Sequence, residues 1–366
     1  MAEIAVPAQT SSRPSWRTQT LRRWLRILGS HLLIMGVGLF FLVPFLWMLS
    51  TALKSDQDVF RLPPTLLPHD NKFVTVHGEE RPIYLVQVEG TGSEAKELAL
   101  LAIADGMGTF VDPAAPDEII EVRMRYAQPV LQVGLRWRNF IDAIETARRP
   151  SMGVTFWTYV QNSLIIAIFS ILGTLISCAP AAYGFSRIQW PGRDLLFYVV
   201  LATLCLPFQV TMIPLYLFFT GVLGWGNTFL PLVVPTFFGN AFDIFLLRQF
   251  FRTIPEELAD AARVDGASEF RIFWSIMLPL SGPVLATIAV FTFLWAWNDF
   301  QGPLIYLTDP RRFTMALGLQ DYQMKHVIAW NQLMAASAMF TIPIVILFFF
   351  AQRTFIQGVK LTGLKG

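Results

Sequence analysis

Charge is scarce in this chain. Only 15% of its 366 residues are Asp, Glu, Lys or Arg, against about 25% in soluble domains, which excludes an ordinary water-soluble fold. Cysteine is scarcer still. Cys178 and Cys205 both fall inside apolar runs, so there is no disulfide framework and no metal spacing, and the two read as small apolar packing residues. The four histidines, His31, His69, His77 and His326, are scattered, with no HExxH pair and no Ser-His-Asp order. They read as structural or solvated groups. A GxxxxGK[ST] phosphate loop is missing too, because Gly90-Thr91-Gly92-Ser93 lacks the following Gly-Lys. These absences leave no candidate catalytic residue, no metal site and no cofactor held by this chain.

Hydrophobic residues make up 54% of the sequence. They form six runs long enough for a hydrocarbon core that needs about 20 helical residues: 28–49, 156–183, 195–219, 229–247, 280–300 and 333–351. Backbone groups in lipid must be satisfied within the segment, so the runs read as helices. The fold class is an all-α polytopic membrane protein with six transmembrane helices. The first run follows a basic, Ser- and Thr-rich head, but it is longer than a signal-peptide h-region, and 46–52 lacks a convincing cleavage site. It is expected to be an uncleaved span.

Basic residues near span ends stay in the cytoplasm. Arg13, Arg17, Arg22, Arg23 and Arg26 precede the first span, Arg187 and Arg193 join the second and third, Arg248, Arg252, Arg263 and Arg271 join the fourth and fifth, and Arg353, Lys360 and Lys365 follow the sixth. The loop 221–228 is uncharged, and 51–155 carries more acids than bases. Both loops read as external, and both termini as cytoplasmic.

The long external segment has a different pattern. KFVTVH (72–77), RPIYLVQVE (81–89) and EIIEVRMRY (118–126) alternate or are β-branched, and His77-Gly78, Gly90-Thr91-Gly92 and Asp112-Pro113 are turn signals between them. A small β-rich insert is expected over about 70–135. The run 98–104 fits a strand or a short helix, which periodicity does not separate. Residues 136–145 read as a short amphipathic helix leading back to the bilayer.

Between the fourth and fifth spans lies a polar, alanine-rich segment, 254–279 (IPEELADAARVDGASEFRIFWSIMLP). Pro255 suits a first helical position, and Glu256 and Glu257 place negative charge at the favourable end of the helix dipole. Leu258, Ala261, Ala262 and Asp265 share a mostly small face. Gly266 supplies a stop, and Ser268 caps a second helix in which Phe270, Phe273 and Met277 share a face. An amphipathic connector of this kind could lie on the lipid surface. Against that stand Glu256, Glu257, Asp260, Asp265 and Glu269, which anionic headgroups repel.

Polar residues inside spans are costly and mark functional candidates. Asn162, Gln209, Asn240, Asp243, Asn298 and Asp299 qualify, with Trp295 and Trp297 beside the last pair. Amides, acids and aromatic faces suit a sugar pathway. Asn298 and Asp299 lie near a span end, where capping or contact with another subunit also explains them. Asp243 is the most unusual, since an acid at that depth needs a base or a proton. A proton-coupled secondary transporter would show more such groups, or an inverted repeat. An intramembrane enzyme would need paired acids or metal ligands.

The stretch DAARVDGASEFRIFWSIMLP resembles the EAA loop, roughly EAAxxDGAxxxxxFxxIxLP, of permease subunits in ATP-binding cassette (ABC) importers, with Asp260 standing where the pattern has Glu. The likeness extends to NSLIIAIFS, AAYGFSR, PGRDLL, IFLLRQFFRTIPEELADAARVDGAS, WAWNDFQGPLIYLTD and the tail FIQGVKLTGLKG, in order. Together these are similar to the carbohydrate-uptake subfamily, within it the maltose-transporter type of second permease, over about 24–69 and 137–366.

The resemblance implies the type I importer fold in a prokaryotic cytoplasmic membrane. It divides the chain into a cytoplasmic 1–27, a first span 28–50, an external loop 51–155, a five-helix core 156–353 and a cytoplasmic tail 354–366. It also implies a homologous second permease, two cytoplasmic ATPases that hold ATP and Mg, an external solute-binding protein and a di- or oligosaccharide substrate, with no nucleic acid. Glu257, Asp260, Ala261, Ala262, Asp265, Gly266 and Ala267 become residues that dock on an ATPase. Gln209, Asn240, Asp243, Trp295, Asn298 and Asp299 become pathway candidates, although in the maltose type the sugar is held largely by the other permease. The tail 357–366 is another expected ATPase contact. The insert has no counterpart in the family outline, and contact with the binding protein, contact with the partner permease and mere decoration all stay open for it. A polyol, glycerol phosphate or other non-sugar solute is the alternative cargo, which arginines along the spans would favour.

Overall fold

A computed structural model describes residues 16–87, 95–146, 152–322 and 329–362. The turn at Gly90-Thr91-Gly92, His326, most of the N-terminal segment and the last four residues lie outside the described residues.

Helix α1 (Trp16–Ala52) is followed by a one-turn α2 (Asp56–Val59) and then by strands β1 (His69–Asn71), β2 (Phe73–Val76), β3 (Glu79–Gln87), β4 (Ala95–Ala104), β5 (Met107–Asp112), β6 (Ala115–Arg123), β7 (Ala127–Pro129) and β8 (Leu131–Val133). Strands β2 to β6 form one antiparallel sheet in chain order, and β7 adds to β3. The pair β1–β8 closes the base, with His69 opposite Val133. Tight two-residue turns set the order. His77 and Gly78 sit at φ 52° and 81°, and Asp105 and Gly106 at 50° and 75°, the left-handed pair that a short hairpin turn needs. The second of these turns makes 98–104 a strand, and its Leu98 and Leu100 join Tyr84, Val86, Phe110 and Ala127 in a small apolar core.

Polar contacts fix the base of this insert and tie the following helix to the rest of the chain. Arg136 pairs with Asp70 at 2.8 Å. On α3 (Arg138–Thr146), the buried amide of Asn139 donates to the carbonyls of Ala52 and Lys54, both at 2.8 Å. The Tyr322 hydroxyl donates to the Ala143 carbonyl at 2.6 Å.

The helical part is built around α4 (Phe156–Ser186), which starts at a capping box between Thr155 and Thr158. Then come α5 (Arg193–Ala202), α6 (Phe208–Tyr216), α7 (Leu230–Val233), α8 (Ala241–Thr253), α9 (Glu257–Val264), α10 (Glu269–Ile272), the single turn α11 (Leu278–Leu280), α12 (Gly282–Asn298), α13 (Gln301–Tyr306), α14 (Met315–Gly318) and α15 (Trp330–Thr362). Among the described residues, four helices are long and apolar enough to cross a membrane: Arg23–Ala52, Phe156–Ser186, Leu230–Thr253 and Trp330–Gln352. Two bent pairs, Arg193–Cys205 with Phe208–Val222 and Glu269–Leu280 with Gly282–Asn298, bring the number to six if each pair is one span.

The run 195–219, expected as one straight helix, instead turns through 91° between its halves. Pro207 stands at the break, where it has no N–H to continue the ladder. The fifth run forms a single helix, α12, and the bend lies where the preceding polar loop enters it. A π segment, Phe273–Met277, carries α10 into α11, and the chain bends by 76° before α12, whose second residue is Pro283. The fourth run is interrupted at Gly239, with φ 91°, between a 3₁₀ stretch (Val234–Phe238) and α8. Cys178 serves this break: its Sγ accepts the backbone N–H of Asn240 at 3.2 Å, a polar duty beyond the packing expected of it.

Candidate functional site: the polar-loop helices and a cavity between α4, α8 and α12

The polar segment forms two helices meeting at Gly266, where φ is 80°. Pro255 lies just ahead of the helix rather than in its first turn, since α9 begins at Glu257. Ala259 is buried, and Ala262 and Ala267 pack partly against a core of Cys178, Tyr183, Phe251, Ile272 and Met277. The open face of α9 therefore carries Glu257, Leu258, Asp260, Ala261, Val264 and Asp265. Val264 is 88% exposed. Phe270, expected on one face with Phe273 and Met277, does not share it. It is 72% exposed and stacks on Trp274 at 6.4 Å, whereas Phe273 and Met277 are buried. Val264 is a surface feature that the sequence reading did not single out.

Behind that face, side chains bind the loop to α4. Arg263 Nη1 contacts Asp260 at 2.6 Å, and its Nε contacts Glu269 at 2.9 Å. Hydrogen bonds to Glu269 and then to Asp260 hold the Arg263 guanidinium above its ordinary pKa. Glu269 in turn accepts the Tyr183 hydroxyl at 2.5 Å. One turn further along, Arg187 donates to the carbonyls of Phe251 and Ile254 at the end of α8, where the last carbonyls lack i+4 partners and Phe251 otherwise accepts only the longer bond from Ile254 N–H at 3.3 Å. The last turn of α4 thus grips the chain on both sides of α9.

The second feature is a cavity of about 380 Å³ between α4, α8 and α12, lined by Thr174, Thr236, Asn240, Asp243, Thr292 and Trp295 among others. It brings together three of the six pathway candidates, Asn240, Asp243 and Trp295. Asn240 also caps α8, its Oδ1 accepting from the N–H of Phe242 at 2.9 Å and of Asp243 at 3.3 Å. Asp243 is buried, and no donor among the described residues is within reach of its carboxylate.

The other candidates lie elsewhere. Gln209 is exposed on α6. The Asn298 amide donates to the Leu294 carbonyl of its own helix at 2.8 Å, and Asp299 accepts from Gly302 N–H at 3.0 Å at the start of α13. Asn162 is structural, its amide donating to the carbonyls of Arg311 and Phe313 at 2.9 Å each. Trp297 is packed between Phe293 and Phe340. Thr174 and Thr292 escaped the sequence reading, although Thr292 stands three residues before Trp295 on one helical face. No cluster of His, Cys, Asp or Glu able to hold a metal occurs among the described residues.

A family described as binding-protein-dependent transport system inner membrane component matches residues 170–361. The arabinooligosaccharides transport system permease protein AraQ of Halalkalibacterium halodurans is 37% identical over 211 residues, 58% of this chain and 75% of that protein. The trehalose/maltose transport system permease protein MalG of Thermococcus litoralis is 36% identical over 58% of this chain and 76% of its own length. The sn-glycerol-3-phosphate transport system permease protein UgpE of Salmonella typhi is 35% identical, over 60% and 79%. In structure, a chain of a bacterial ABC transporter that imports the acidic polysaccharide alginate superposes with a TM-score of 0.61 at 19% identity, covering 94% of this chain and 99% of that one. At that identity the likeness speaks to the fold.

Proposed function

Because the chain belongs to the binding-protein-dependent transport system inner membrane components, we propose that it is the permease subunit of an ABC importer that moves a di- or oligosaccharide into the cytoplasm by alternating access. Two of the relatives above are named for oligosaccharide or disaccharide transport. The partners are a homologous permease, two ATPases that bind ATP and Mg outside this chain, and a binding protein on the external side. The spans number six, with the bent pair over 193–222 counting as one and α12 forming the fifth, since 254–279 stays in the loop. Both termini face the cytoplasm and the β-sheet insert faces outward, as the arginine distribution favours.

The carrying observation is the build of 254–279. An exposed face of small, acidic and apolar residues (Ala261, Asp265, Val264) is held from behind by Tyr183 and Arg187 on α4. A partner pressing on α9 displaces a span directly, because α4 packs on both α8 and α12. Glu257, Asp260 and Asp265 supply charge for basic groups of an ATPase cleft, Ala261 permits close approach, and Gly266 makes the bend. Ala262 and Ala267 set the seat of the helix. Asp260 is already paired with Arg263, so an ATPase cation competes for it.

The test is ATP hydrolysis and labelled-sugar uptake in proteoliposomes holding the whole assembly, for wild type, Gly266→Pro and Asp260→Lys. Loss of binding-protein-stimulated hydrolysis and of uptake, with the variants still inserted and assembled, is the expected result. Normal rates in both would make the segment a surface connector.

A further inference from the structure

We propose that the cavity between α4, α8 and α12 is a sugar-ring subsite of this subunit, selective for neutral over anionic solutes. The inference rests on the permease reading and deepens it. The resemblance leads one to expect the partner permease to hold the cargo. The geometry instead gives this chain a binding surface of its own.

Three observations carry it. The volume, about 380 Å³, falls in the range of small-molecule sites, on the order of 300–1,000 Å³. Asn240 and Thr236 in the lining are already bonded to backbone, but three other polar groups are unengaged: Asp243 is buried yet no donor among the described residues reaches its carboxylate, and the Thr174 and Thr292 hydroxyls, on residues also buried, have no partner among the described residues. Buried polar groups are ordinarily satisfied, and a polyol supplies hydroxyls that both donate to a carboxylate and accept from threonine. At the open side stands Trp295, 58% exposed, an apolar face of the kind that stacks on the C–H face of a pyranose.

The selectivity follows from what the lining lacks. Among the described residues, no Lys, Arg or His lines the cavity, whereas phosphate and carboxylate recognition relies on charge-assisted donors, above all arginine. An acid without a cation beside it disfavours an anion further. By this criterion the chain sides with its saccharide-named relatives rather than with the glycerol-phosphate one.

Uptake by the reconstituted full assembly provides the test, with radiolabelled maltose, trehalose, arabinotriose and sn-glycerol 3-phosphate as probes. Wild type is compared with Trp295→Ala, Trp295→Phe and Asp243→Asn. Uptake of a neutral sugar and exclusion of the phosphate ester are expected, with KM raised about tenfold or more by Trp295→Ala and by Asp243→Asn. Trp295→Phe, which keeps an aromatic face, is expected to recover most of the loss, an outcome that a fold defect would not produce.

Uptake of sn-glycerol 3-phosphate, or of none of the neutral sugars, overturns the selectivity. An unchanged KM in both Trp295→Ala and Asp243→Asn overturns the subsite, and lipid or a partner side chain then fills the cavity. The permease reading is judged apart from these outcomes, by whether the wild-type assembly hydrolyses ATP in response to the binding protein.

Discussion

The hydroxyl of Tyr183, in the last turn of the central helix α4, donates a 2.5 Å hydrogen bond to Glu269, at the start of the helix that follows Gly266. Tyr183 is buried against Phe251 and Phe273, while Glu269 also holds Arg263. The bond therefore joins a membrane helix to the polar loop at a point where the loop is otherwise open to solvent.

Tyr183→Phe removes the donor and keeps the ring. A hydrogen bond to a charged group contributes about 1.5–3 kcal/mol when sheltered, and solvent at Glu269 reduces that to about 1 kcal/mol or less. The assembly is therefore expected to form normally, while the number of sugars imported per ATP falls. Measuring uptake and hydrolysis on the same vesicles checks this. An unchanged ratio would show that the bond plays no part in transmission.

Among the described residues no heavy atom lies within 4 Å of where a Gly266 Cβ would sit, so within this chain its φ of 80° is what opposes substitution. Gly266→Ala is expected to cost about 1 kcal/mol in backbone strain. Gly266→Asn costs less, because Asn tolerates the left-handed region. Uptake is expected to decline in the order Gly, Asn, Ala. If Ala outperforms Asn, side-chain contact rather than backbone geometry controls the position.

Asn139→Ala strips two 2.8 Å hydrogen bonds from the buried carbonyls of Ala52 and Lys54. A buried polar group left unpaired costs about 1–3 kcal/mol. A lower unfolding temperature in detergent is expected, along with greater protease sensitivity of the insert relative to the helices. A thermal-shift assay combined with limited proteolysis reads both effects. An unaltered melt would mean that the insert is anchored elsewhere.

Single cysteines at Glu97 and at Val264, in a Cys178→Ser, Cys205→Ser background, test the orientation. Glu97 lies exposed on β4 and Val264 is 88% exposed on α9. A membrane-impermeant maleimide added to intact cells is expected to label the first and spare the second. The reverse pattern would invert the topology.

Much of this molecule was legible in the sequence because it follows local rules. The turn at His77-Gly78, the stop at Gly266 and the cap at Ser268 each depend on residues within a few positions of one another, and each appears where spacing placed it. Of the pathway candidates, Asn240, Asp243 and Trp295 converge on one cavity, while Gln209, Asn298 and Asp299 do not. A polar residue in an apolar run signals that something must satisfy it, but not whether the partner is its own backbone, as for Asn298, or an empty cavity, as for Asp243. The inward turn of Ala262 and the outward turn of Phe270 depended on where α9 and α10 sit against α4.

By itself the sequence determined that this chain crosses a membrane and carries a polar two-helix loop, because hydropathy, capping and glycine geometry are short-range properties of the chain. Only the tertiary structure decided the 91° and 76° bends, the grip of Tyr183 and Arg187 on that loop, and the grouping of Thr174, Asp243 and Trp295 around one cavity. The grip and the grouping join residues tens of positions apart, and packing sets their distances, while a proline marks a break locally without fixing the angle that the packed helices adopt there.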